Sequence, residues 1–143
     1  MATWLLKTEP DDYSYDDLVR DGRTIWDGVS NPTACIHIRK IKAGDWALIY
    51  HTGKEKRIAG LAKVISDHYE DPKAPGLTAK GDIKRPVVDL EASKEATKSL
   101  TLSDIKGDDS FVHEGFELTT NSRLSAMPVP APIAKKIRSR AGL

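Results

Sequence analysis

The sequence predicts an α+β fold, a small mixed barrel or curled sheet with helices at its periphery. Three observations lead there. Short apolar runs of strand character outnumber the long helical ones, and irregular stretches separate them. Apolar residues are spread through the chain and recur periodically, so a packed core is expected rather than disorder. The length, 143 residues, is that of one domain, since domains run to roughly 100–200 residues. A chain of this size buries about two-thirds of its unfolded surface and needs no disulfide or metal staple.

The elements follow in order. Residues 3–8 (TWLLKT) read as a strand ended by the turn Glu9-Pro10-Asp11-Asp12. Ser14 is placed to cap a helix over residues 15–20, with Asp17 as the acidic partner of a capping box, and Asp21-Gly22 stops it. Residues 24–27 are extended. Asn31-Pro32 is the clearest helix start, because Asn suits the cap and the missing N–H of Pro is not needed at the first helical position. That helix is expected to continue through Ala34, Cys35, Ile38 and Ile41. Residues 46–50 (WALIY) and 58–65 (IAGLAKVI) read as strands, and Gly60 marks a bulge or a close approach of backbone. Residues 67–86 form a long Pro- and Gly-containing segment, expected as a mobile insertion. A third strand is placed at 85–90, a helical turn at 103–106, a short strand at 124–129 and a basic helix at 133–140, with 111–117 left ambiguous.

Composition excludes several classes of function. Lys and Arg number 22 against 21 Asp and Glu, a net charge of +1 with His neutral. That balance excludes a histone-like coat for nucleic acid, so any such partner must be met by a local patch or pocket. The single cysteine, Cys35, excludes an internal disulfide framework and a multi-cysteine zinc site, and it fits a reducing compartment. No apolar run reaches the ~18 residues of a membrane span. The opening residues lack the basic and apolar regions of a secretory signal. A cytoplasmic protein is expected, or a nuclear one in a eukaryote.

Catalytic templates fit poorly. The four histidines, 37, 51, 68 and 113, are scattered and show no metal-binding i, i+4 pair, and there is no nucleophile elbow or phosphate loop. No metal, cofactor or catalytic residue is expected. The stretch Trp26-Asp27-Gly28-Val29-Ser30-Asn31-Pro32 is more informative. A flat indole beside a helix N-terminus would hold a planar, hydrogen-bonding ligand such as a nucleobase, or a phosphate. The competing reading makes Trp26 a core residue and Asn31 only a cap. Tyr50-His51-Thr52 ends a strand, where His51 would read a base edge or serve as a satisfied strand-end histidine. Lys54, Lys56 and Arg57 follow as phosphate contacts or as a solvated charge run. Lys7-Thr8 and Arg123 are, taken singly, an ordinary strand end and a surface arginine.

Together these motifs resemble the EVE-domain family. Trp4-Leu5-Leu6-Lys7-Thr8-Glu9-Pro10 is similar to its WLxK(S/T)EP opening. Tyr13-Ser14, Asp17-Leu18, Trp26-Asp27-Gly28-Val29 with Asn31, His37 with Arg39, Gly44-Asp45, Tyr50-His51-Thr52 and Gly60-Leu61-Ala62 follow in order. Ser122-Arg123-Leu124-Ser125 with Met127-Pro128-Val129 closes the match, which runs from Trp4 to about Ile137. The resemblance implies one domain over 1–143 with a PUA-like fold, a curled β-barrel with peripheral helices. It also implies a non-catalytic reader of DNA or RNA that accepts a modified base, such as a methylated or hydroxymethylated cytosine, in an aromatic pocket.

Flipping such a base costs a few kcal/mol, which stacking and edge hydrogen bonds must offset. By the same resemblance Lys7, Thr8, Trp26, Ser30 and Asn31 line the pocket. Tyr50, His51 and Thr52 form its opposite side, and Arg123 sits near it or near a phosphate. Trp26→Ala is then expected to abolish binding and leave the fold intact. The chain departs from many members at Ser30, Pro32 and Thr33, where an arginine and a Tyr-Gln pair are common, so a cation is missing from the rim. The alternative function is a sensor or hydrolase for a small molecule such as a free nucleoside, using the same pocket.

Overall fold

A computed structural model describes residues 1–143. Seven strands form one mixed sheet: β1 (Thr3–Thr8), β2 (Arg23–Trp26), β3 (Trp46–His51), β4 (Arg57–Val64), β5 (Tyr69–Glu70), β6 (Pro86–Glu95) and β7 (Ala126–Val129). Four helices accompany it: α1 (Tyr15–Asp21), α2 (Pro32–Ile38), α3 (Leu102–Lys106) and α4 (Ala131–Ala141). The strand order is β2-β6-β4-β3-β1-β7, with β5 added on β6. β1 and β3 are parallel, and the other pairs are antiparallel. Parallel neighbours need a long crossover, and residues 9–45 supply it with α1, β2 and α2. The expected α+β class holds. The pairing path is open, because its ends, β2 and β7, do not hydrogen-bond to each other, so closure into a barrel is not part of this sheet.

The central strands explain their own sequences. Trp4-Leu5-Leu6 and residues 47–51 are continuously buried, as expected for strands covered on both faces. The capping box of α1 forms as its residues require: Asp17 N–H donates to Ser14 Oγ at 3.1 Å and Ser14 N–H to Asp17 Oδ2 at 2.8 Å. These bonds favour the ionised carboxylate and hold Asp17 below the usual carboxylate range. Asn31 caps α2 by accepting from Ala34 N–H at 3.0 Å, with Pro32 following it.

Element boundaries differ from the sequence reading in several places, and β5 falls within the segment expected as a mobile insertion. α2 ends at Ile38, and the chain turns so that Ile41 is buried from outside the helix. β6 runs on to Glu95 although Glu91, Ser93, Lys94 and Glu95 are polar, because pairing with Gly60–Val64 supplies ladder partners to all of these but Ser93. α4 begins two residues early, at Ala131. The last strand begins at Ala126, leaving Leu124 buried in the approach to it. The ambiguous 111–117 stretch follows a 3-10 turn at Asp109–Phe111 and contributes Phe111 and Phe116 to the core.

Gly60 proves to be a place of close approach beside a bulge. Ile49 faces Gly60 and Tyr50 faces Ile58, so Ala59 is the extra residue. The Tyr15 ring lies on Gly60, where a Cβ would sit 2.4 Å from a ring carbon. The Tyr15 hydroxyl donates to the Leu61 carbonyl at 2.6 Å. It accepts at 3.2 Å from Ser93 N–H, the residue left unpaired by a second irregularity between β4 and β6. Anchored at both ends, the ring cannot retreat. Gly60→Ala should therefore destabilise the fold by about 1–3 kcal/mol, the usual cost of overpacking. A urea denaturation midpoint equal to that of the parent would contradict this contact.

Candidate functional site

The edge strand β2 and the end of β1, the strand next to the other edge, face each other across a cavity of about 670 Å³. Lys7 and Thr8 of β1, with Glu9, Asp12 and Tyr13 of the following turn, form one wall. Thr24–Trp26 of β2 and the turn 27–31 form the other, and Ser125, just ahead of β7, closes one end. The volume lies within the ~300–1,000 Å³ typical of small-ligand sites. The main chain holds the walls in place: Lys7 N–H donates to the Ser125 carbonyl at 2.9 Å, and Thr8 Oγ1 donates to the Tyr13 carbonyl at 2.7 Å.

Lys7 is the one cation of the cavity. Its ammonium donates to the Ser122 carbonyl at 3.2 Å and lies 5.8 Å from the centre of the Tyr50 ring. Burial lowers its pKa from the ordinary lysine value. Three carboxylates, Glu9, Asp12 and Asp27, share the lining, so the charged groups there sum to −2. Such a site repels phosphate and suits a ligand with amino donors, as carboxylates accept from the exocyclic amine of cytosine. Tyr13 and Trp26 provide the aromatic surface, edge to face at 6.3 Å. The Tyr13 hydroxyl is tied to Asp21 Oδ2 at 2.8 Å, and desolvation raises its pKa.

Five of the sequence-predicted residues converge here: Lys7, Thr8, Trp26, Ser30 and Asn31. Trp26 borders the cavity and also belongs to the core, as its competing reading has it, with 7% of its surface exposed. Asn31 uses its side-chain oxygen on the helix cap.

The Tyr50-His51-Thr52 group does not form an opposite wall. Tyr50 is buried behind Lys7, and burial raises its phenol pKa. His51 is also buried, and both of its ring nitrogens are engaged. Nε2 accepts from Tyr15 N–H at 3.0 Å, which places the proton on Nδ1, 2.9 Å from Glu55 Oε1. The expectation of base-edge reading by His51 is corrected on that ground, since neither nitrogen is left for a ligand. The bond to His51 in turn holds Glu55 below the usual carboxylate range. Thr52 is not in the lining and reaches it through Glu9 and Thr8, its hydroxyl lying 3.3 Å from both Glu9 Oε2 and the Thr8 carbonyl.

Arg123 is exposed and outside the lining, next to the Ser122 carbonyl that holds Lys7. Lys54 and Lys56 border a separate depression with α3, and Arg57 is paired with Glu55 at 2.8 Å. Sequence reasoning missed Glu9, Asp12, Asp27, Thr24 and Ser125 as lining residues. Acidic residues are common throughout the chain, and nothing local marks the three that converge. Tyr13 stood inside a recognised motif without a role.

Comparison with known proteins agrees with this architecture. The EVE domain family model matches residues 2–140. Thymocyte nuclear protein 1 of Gallus gallus is 30% identical over 123 residues, covering 72% of this chain and 51% of that protein. The chain thus spans about half the length of that relative. Rpa0253 of Rhodopseudomonas palustris superposes with a TM-score of 0.85 at 34% identity, covering 99% of this chain and 94% of that one. Human THYN1, solved in complex with DNA containing 5-methylcytosine, superposes with a TM-score of 0.85 at 26% identity, covering 97% and 96%.

Proposed function

The chain belongs to the EVE-domain family, and we propose that it is a non-catalytic reader of nucleic acid that holds a modified base in the cavity between β1 and β2. The observation that carries this reading is the human THYN1 complex with 5-methylcytosine DNA, a relative that shares the fold over nearly the whole chain. The chemistry of the cavity supports it. A base is flat and uncharged, so it suits the aromatic surface that Tyr13 and Trp26 present to the cavity, where a phosphate is repelled. Glu9 and Asp27 would accept from an exocyclic amine, and Lys7 would donate to a ring carbonyl. Ser30, Asn31 and Thr8 complete the polar rim. Tyr50 would act from behind, by fixing the position of Lys7.

Fluorescence anisotropy tests the reading. The probes are short single- and double-stranded DNA and RNA with cytosine, 5-methylcytosine, 5-hydroxymethylcytosine, adenine or N6-methyladenine at one position. One modified probe should bind more tightly than its unmodified counterpart, and mass spectrometry should recover it unchanged. Tyr13→Ala removes half of the aromatic surface at a half-exposed site. It should weaken the preferred probe tenfold or more, given about 1–3 kcal/mol per stacked base. Equal affinity for every modified and unmodified pair would sink the proposal, and conversion of a probe would replace it with an enzymatic one.

A further inference from the structure

Beyond Ser30 a second depression opens, of about 410 Å³, and Ser30 borders both cavities. One of its walls is α2, with the exposed Ile36 and the half-buried Arg39. The other is the 78–85 segment. That segment was expected as part of a mobile insertion but is folded as a hairpin. Thr78 N–H donates to the Asp82 carbonyl at 2.8 Å and Lys84 N–H to the Gly76 carbonyl at 3.0 Å, while Leu77 bridges Ile83. Arg39 Nε donates to the Ile83 carbonyl at 2.9 Å and joins the two walls. The other guanidinium donors of Arg39 are not needed for that bond.

Charge separates sharply between the two cavities. The second one carries Arg39, Lys80, Lys84 and Arg85 against a single Asp82, a net of +3. The first carries −2, and the whole chain only +1. None of the four cations is in an ion pair, whereas Arg57 and Arg140, in the other basic clusters, are held by Glu55 and Asp108. A nucleic-acid strand has the matching chemistry, an uncharged base beside charged phosphates. Positively charged grooves next to stacking surfaces track such backbones.

We propose that the groove between α2 and the 78–85 hairpin carries the phosphates flanking the bound base, so that the strand leaves the first cavity past Ser30. This rests on the reading of that cavity as a base site. It moves the phosphate contacts away from Lys54 and Lys56, whose depression shares no residue with either cavity, and from Arg57, which is paired with Glu55.

The test is the double variant Lys80→Glu/Lys84→Glu, which changes two exposed side chains and leaves the Arg39 tie in place. Anisotropy is measured with fluorescein-labelled DNA and RNA carrying one cytosine or one 5-methylcytosine, over a salt series. Affinity for both probes should fall by a common factor of tenfold or more, with their ratio kept. The salt dependence should flatten by about 0.7–0.9 log units per log unit of salt for each lost phosphate contact.

Unchanged affinity in this variant, or weakening only in Lys54→Glu/Lys56→Glu, overturns the groove and leaves the base site standing. A parent protein that binds both probes equally, with a salt slope that the variant flattens, overturns the base site and leaves the groove as a general phosphate track. Absence of binding to any probe overturns both.

Discussion

Trp26→Ala will lower the stability of the domain by about 3–5 kcal/mol, the cost of truncating a large buried aromatic. The indole is 7% exposed and belongs to the hydrophobic core cluster, with Tyr13 packed edge-on against it at 6.3 Å. Its removal empties the junction between β2 and the β1–α1 turn, so binding will be lost together with local order. This burial argues against the simpler expectation, a variant that loses its ligand and keeps its fold. Thermal or urea unfolding decides the matter. A shift below about 1 kcal/mol with binding abolished would return Trp26 to a purely ligand-facing role. For the same reason Tyr13, half-exposed and tethered through its hydroxyl, is the better probe of the site.

Asp45→Ala should cost about 2–4 kcal/mol, since the buried Trp4 indole N–H loses its partner, at about 1–3 kcal/mol, and two part-buried backbone N–H groups lose theirs. The carboxylate is 6% exposed and accepts three hydrogen bonds. Oδ2 takes the Trp4 indole N–H at 2.9 Å and Lys42 N–H at 2.9 Å, and Oδ1 takes Ala2 N–H at 3.1 Å. It thus fastens the start of β1 to the turn that begins β3, the one parallel pair of the sheet. Asp45→Asn is the discriminating companion. With its oxygen in the Oδ2 position it keeps two of the three bonds, so its urea midpoint should fall between the parent and the alanine variant. Equal destabilisation by Asn and Ala would mean that negative charge, rather than hydrogen-bond geometry, is what the site requires.

Most of the secondary structure was legible because its signals act over a few residues. Ser14 and Asp17 make a capping box wherever the chain permits a helix, and Asn31-Pro32 starts one for the same local reason. Trp4-Leu5-Leu6 and residues 46–50 are too apolar to lie anywhere but between covered faces. Where the reading failed, long-range pairing prevailed. The end of β6 is polar and reads as loop, yet β4 offers it a ladder. Ile41 fits the helical spacing of α2, yet it is buried from the turn beyond.

Local patterns in the chain were enough for the family, most of the strands, the caps of the first two helices, and five of the fourteen residues that line the candidate site. Lys7-Thr8, Trp26 and Ser30-Asn31 lie in motifs whose order along the chain is distinctive. What those residues face depends on the packing of distant segments. The cavity lies between β2 and the end of β1, so its walls come from segments that no local pattern connects. Carboxylates at 9, 12 and 27 become one acidic site only when the sheet brings β2 across from β1. His51 stood between base-edge reader and satisfied strand-end histidine until the fold placed Tyr15 N–H on one side of its ring and Glu55 on the other. Backbone preference and capping are properties of neighbours in sequence. Partnership of hydrogen bonds, convergence of charge and burial of an indole are properties of neighbours in space, and the packing of the whole sheet sets them.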